Sequence, residues 1–286
     1  MNIEKKSQRI FIGFAFIWSF ILWGLGIFLS VKGNVKLLES TDLLSAVLNN
    51  TLSRELWLIT VVNTLAGYGP LLAAIVLVIL FPDTRKYFKH KFKLVTPLKY
   101  VLQIIALFLL ISIIPAIPLV ISKGFNVPLT WSLVGFVLLF FVYQIITAGT
   151  EEIGWRGYLL PSMLKNRTPW KASVSIGVIW ALWHTPIILY VFYTQGMTVP
   201  QIIMSFAGFI VGTIAMSTVH TYYYLKTDNL LFNVFIHAVA NTLPMFIGML
   251  SASSYEISVA VQLLLWVFVI VITRKNKALF DTVREQ

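Results

Sequence analysis

Glu151 and Glu152 stand side by side in the stretch TAGTEEIGWRGYLLPSML, directly after an apolar run, and Arg156 follows four residues after the second. Between Tyr100 and Leu250 the only other acidic residue is Asp228. A charge at the centre of a membrane helix costs about 2.5–3.5 kcal/mol on insertion scales, so such groups are scarce there and tend to serve function. On a helix Glu152 and Arg156 share a face and can pair, whereas Glu151 points about 100° away. One carboxylate would then be held and the other left free to move a proton. The alternative is structural: three interfacial charges where a helix leaves the bilayer.

Four histidines extend the pattern. His90 lies in the basic stretch KYFKHKFK and reads as solvated. His220, beside TYYYL, reads as part of an interfacial aromatic belt. His184 sits in WALWHTPIILY, where Pro186 removes a backbone donor and should kink the helix beside it. His237 lies in FNVFIHAVANTLP, with Asn241 one turn later on the same face. At 1.5 Å per residue, His237 falls about 10 Å and His184 about 18 Å from the starts of their spans. A lone intramembrane histidine usually bonds a neighbouring helix. Glu, His and His/Asn on three spans at overlapping depths point instead to one polar site.

The elements that must position these groups are membrane helices. The chain of 286 residues is 58% hydrophobic and 12% charged, where soluble domains carry about 25% charged residues. Runs long enough to cross a bilayer are expected at 10–31, 56–82, 100–122, 131–150, 172–193, 201–225, 230–250 and 257–273. The fold class is therefore all-α, a polytopic membrane protein of about eight transmembrane helices in a single domain (1–286). The run starting at Ile10 is too long for the apolar core of a signal peptide. The segment 32–55 has an amphipathic pattern suited to the membrane surface.

The net charge of +11 does not indicate nucleic acid, because the basic residues fall in short loops between apolar runs. Alternating the eight spans puts Lys32, Lys36, Arg54 and Lys123 on one side and the other 18 of the 22 basic residues on the opposite side. The positive-inside rule then makes both termini cytoplasmic. It also places Glu151 and Glu152 at the cytoplasmic end of the fourth span. The chain has no cysteine, which removes disulfides, thiolate catalysis and Cys-ligated zinc.

EEIGWR fits an EExxxR motif, WALWH fits FxxxH with Trp180 in the aromatic position, and HAVAN fits HxxxN/D. In this order on successive helices, they resemble the CPBP (CAAX protease and bacteriocin-processing, or Abi) family of intramembrane endopeptidases, over a core of about 131–250. The resemblance implies hydrolysis of a peptide bond in a membrane-associated protein or peptide, in a cavity between the fourth to seventh helices. Glu151 and His184 would activate water, His237 and Asn241 would hold the oxyanion, and Glu152 and Arg156 would support Glu151. Catalysis without metal is expected. The alternative is zinc, with Glu151, His184 and His237 as ligands and a fourth position open. A multi-pass protein of a bacterial cytoplasmic membrane is expected. The competing functional class is a non-catalytic bacteriocin-immunity or scaffold protein. A proton-coupled transporter ranks below it, because no inverted repeat is visible.

Overall fold

The computed structural model describes residues 3–251 and 255–283, and the described chain is helical with no strand. It opens with α1 (Ile3–Gly33), the short α2 (Ser40–Leu48), α3 (Arg54–Gly67) and α4 (Gly69–Leu80). After a tight turn at Pro82–Tyr87 come α5 (Leu98–Lys123) and α6 (Trp131–Ile146). The helical path then runs through a 3-10 turn (Ala148–Thr150), α7 (Glu151–Gly154), a π-helical turn (Trp155–Leu159) and α8 (Leu160–Leu164). The remaining helices are α9 (Pro169–Trp183), α10 (Thr185–Thr194), α11 (Val199–Thr227), α12 (Leu230–Ser251), α13 (Tyr255–Lys275) and α14 (Lys277–Asp281).

Five helical stretches are long and apolar enough to span a membrane, and two bent pairs bring the number to seven among the described residues. The pairs are α3–α4, bent by 52°, and α9–α10, bent by 56°. The expected eighth span, 257–273, falls in α13, and residues 252–254 just before that helix lie outside the described ones. Large apolar side chains such as Ile17, Ile79, Leu138 and Leu263 stay exposed on the outside of the bundle, as lipid-facing positions require.

Both bends follow from the sequence. At GYGP, Pro70 lies in the first turn of α4, where a missing N–H costs nothing. In the second pair, Pro186 cannot donate to the Leu182 carbonyl, and the Thr185 hydroxyl donates to it instead at 2.6 Å. The kink expected beside His184 forms there.

The fourth span breaks as well. Around the 3-10 turn, Thr147 Oγ1 donates to the Tyr143 carbonyl at 2.8 Å and Thr150 Oγ1 to the Thr147 carbonyl at 2.6 Å. These hydroxyls add a second bond to carbonyls that already accept the Thr147 and Thr150 backbone N–H groups, and so reinforce the turn. Beyond it, Pro161 can neither donate to Gly157 nor pack closely against its carbonyl, and the wider π turn accommodates both effects. Residues 154–164 are all buried. Glu151 and Glu152 therefore lie inside the bundle rather than at the end of the span, as the apolar run alone had suggested. The helix does not stop where its hydrophobicity is interrupted.

α9 packs along α11, α12 along α5 and α6, α1 along α3 and α4, and α7 against α4. Two glycines let backbones of different helices approach closely. A Cβ on Gly154 would lie 2.4 Å from the Pro70 carbonyl oxygen, and one on Gly177 would lie 2.5 Å from Ile214 Cα. The bend at GYGP thereby seats the start of α4 directly against the helix that carries the two glutamates.

Candidate functional site

The site grows from five elements. α7 supplies Glu151 and Glu152 and the π turn supplies Arg156, α9 brings Trp180 and the junction residue His184, α11 brings His220, and α12 brings Asn233, His237 and Asn241. The three α12 residues recur every four positions and so share a face.

The two glutamates have different surroundings. Glu152 is fully buried. Its carboxylate takes Arg156 Nη1 at 3.1 and 3.0 Å and His237 Nδ1 at 2.9 Å, and His220 Nδ1 lies 3.5 Å away. The expected pairing of Glu152 with Arg156 one turn later is present. Arg156 is itself fully buried, with its guanidinium carbon 4.8 Å from the centre of the Trp180 ring. It is a member of the site and not a loop cation, so it drops out of the basic count on the side expected to be cytoplasmic.

Glu151 contacts a different set of groups. Its Oε2 accepts from the Trp180 indole N–H at 2.8 Å. It also lines a cavity of about 670 Å³, which Glu152 does not. Gln144, Thr147, Ala148 and Asn241 surround it there, and Leu37, Leu38, Leu43, Ile187 and Val191 form the apolar walls. The segment expected to be amphipathic folds as α2 and, with the residues before it, turns part of its apolar face to this cavity.

Trp180 is the hub of the constellation. Its ring centre lies 5.3 Å from His237, 5.9 Å from His184 and 6.2 Å from His220. His184 Nδ1 donates to the Trp180 carbonyl at 2.9 Å, which leaves Nε2 with its lone pair free. The His184 ring packs among Trp183, Phe209 and Trp23. His237 and Asn241 do not bond each other. His237 turns to Glu152, and Asn241 Nδ2 donates to Gln144 Oε1 at 2.8 Å.

His220 is the residue that sequence reasoning missed. It is fully buried rather than interfacial, with Nδ1 3.0 Å from Asn233 Oδ1 and its ring 5.9 Å from that of His237. The aromatic TYYYL beside it suggested a belt position. The sign that could have corrected this is Asn233, four residues before His237 and so on the same face of α12.

Among the described residues, the acid–imidazole group whose ligand atoms come within 4.8 Å of one another is Glu152, His220 and His237, not the expected zinc set of Glu151, His184 and His237. The grouped set fits a cation poorly. Arg156 already holds its carboxylate, so a divalent ion would sit beside a buried guanidinium.

Residues 133–243 match the family described as type II CAAX prenyl endopeptidase Rce1-like. Over 121 residues the chain is 30% identical to CAAX prenyl protease 2 of Methanococcus maripaludis, an overlap that covers 42% of each chain. The chain thus spans less than half the length of that curated relative. The matched stretch runs from α6 to the turn of α12 that carries Asn241, and so contains the helices that hold the two glutamates, Arg156, His184, His220 and His237.

Proposed function

We propose that this protein is an intramembrane endopeptidase that hydrolyses a peptide bond in a membrane-associated protein or peptide. The observation that carries the reading is Glu151, a carboxylate fixed by the Trp180 indole at the inner end of a cavity large enough for an extended segment. A buried carboxylate at the wall of such a cavity can take a proton from water and return it to a leaving group.

In this reading, Glu151 accepts a proton from the attacking water while the free Nε2 of His184 orients that water. The hydroxide adds to the scissile carbonyl carbon. Asn241 Nδ2 and the His237 ring, the latter held by Glu152, donate to the resulting oxyanion. The proton held by Glu151 passes to the amide nitrogen as the C–N bond breaks, leaving a carboxylate and an amine. Glu152 acts by holding His237 and Arg156 in place. No step passes through a metal, in keeping with the guanidinium that already occupies the one grouped carboxylate.

The test compares membrane peptidomes of cells carrying the wild-type protein and Glu151→Gln at matched expression. Fragments present only with the wild type support hydrolysis. Identical peptidomes, together with an undiminished phenotype of the variant, would assign the protein to the non-catalytic immunity or scaffold class.

A further inference from the structure

The two ends of the bundle differ in charge and in closure. One end gathers the N-terminus of α1, the 82–97 loop, the α8–α9 turn and the α11–α12 turn. There Lys165 pairs with Glu4 at 2.5 Å, Lys91 pairs with Asp228, and Asn229 donates to the Lys93 carbonyl at 2.8 Å and to Thr96 at 2.9 Å. The opposite end is tied by Tyr190, which bonds Ser30 at 2.7 Å, and by Asn126, whose N–H donates to the Leu250 carbonyl at 2.8 Å. Lys32, Lys36, Arg54 and Lys123 are the described cations of that second end. The first end carries the basic loops, and the positive-inside rule assigns it to the cytoplasm.

The cavity belongs to the other end. Its floor is Glu151, Ala148 and Gln144, and its mouth is formed by residues 37–41 and Gln195, with Glu39 and Gln195 exposed to solvent. Asn241, within the cavity, is exposed as well. On the basic side of Glu151 the path is filled by the wholly buried run 154–164, including Trp155, Tyr158 and Leu159. The charged side chains that line the cavity are Glu39 and Glu151, with no cation among the described residues lining it to receive a carboxylate. A segment with acidic side chains or a free C-terminus close to the bond would meet repulsion of like charges in a poorly screened space.

Resting on the peptidase reading of this cavity, we propose that the site is entered from the non-cytoplasmic face. Its substrate is the outer juxtamembrane segment of a translocated, membrane-anchored polypeptide, neutral or basic around the bond to be cut. This reverses the side of approach expected from the apolar runs alone, because that expectation placed Glu151 at the end of its helix.

The cysteine-free chain allows a direct test. Gln195→Cys, Asn241→Cys and Lys89→Cys are expressed separately and exposed to a small cationic methanethiosulfonate that does not cross membranes. In intact cells the first two should be modified and Lys89→Cys should not, becoming reactive only after permeabilisation. Modification of Asn241→Cys in inside-out vesicles but not in intact cells overturns the proposal. This readout does not depend on turnover, so it stands or falls apart from the peptidase reading. In the peptidome comparison, wild-type-specific fragments should map to outer juxtamembrane segments without Asp or Glu beside the cut. Fragments from cytoplasmic C-termini would overturn the substrate class while leaving the peptidase reading intact. External labelling with unchanged peptidomes would remove the peptidase reading, and this substrate with it.

Discussion

At the scale of single residues, adjacent glutamates are separated by their partners. Glu151→Gln keeps the size of the side chain and its bond from Trp180 but cannot accept a proton. It should fold normally and lose turnover by at least the roughly 10²–10⁴-fold typical of a general base. Glu152→Gln should keep measurable turnover but lower the melting temperature, because breaking a buried ion pair from one side costs about 3–5 kcal/mol. Turnover and melting temperature of both variants in nanodiscs decide the assignment, and the reverse pattern would exchange their roles. His220→Leu leaves Asn233 Oδ1 without its imidazole partner and should cost about 1–3 kcal/mol. A variant that melts like the wild type yet has no turnover would make His220 a direct participant. Sequence singled out His184 and His237 as intramembrane polar groups, because such groups are rare in apolar runs, and Glu151, Glu152 and Arg156 as charges at the cytoplasmic end of the fourth span. It did not reveal that His237 turns to Glu152 and Asn241 to Gln144, since side-chain direction depends on which helices meet. His220 escaped because its neighbours in the chain are aromatic while its neighbours in space are polar.

At the scale of elements, the hydrophobic pattern located most spans, and Pro186 located the bend beside His184. The continuation of the fourth span was not legible: a run containing two glutamates and an arginine reads as a helix leaving the membrane. Its true length depends on burial against α4 and α12, which no window of local hydrophobicity contains. Close helix contacts are equally invisible in one sequence, and they carry a contrast that can be measured. Gly177→Ala would push a methyl group into the α11 backbone at Ile214 and should cost about 1–3 kcal/mol, as overpacking generally does. Gly208→Ala, with nothing within 4 Å of its new methyl, should be neutral or stabilise α11 by up to about 1 kcal/mol. Thermal melts of the two variants give the comparison, and equal melting temperatures would show that α9 and α11 are not packed this closely.

At the scale of the whole molecule, the reading of Arg156 predicts that exhaustive chelation leaves turnover of the purified protein unchanged. Loss of activity restored by zinc would instead give Glu152, His220 and His237 to a metal. The two bent spans have a mechanical consequence beyond their local geometry. α11, with 29 residues and its only proline in the first turn, is one continuous helix of about 44 Å, whereas α3 and α4, with 14 and 12 residues, reach only about 35 Å end to end across their bend. A jointed pair changes its reach by hinging, which a rod cannot do except by tilting. Gly154 rests on Pro70 at that joint, so any change in the angle is transmitted to the helix holding Glu151. Bilayer thickness thus becomes an input to the chemistry. Turnover in vesicles of graded acyl-chain length should pass through a maximum and fall on both sides of it, while Glu151→Gln stays flat throughout.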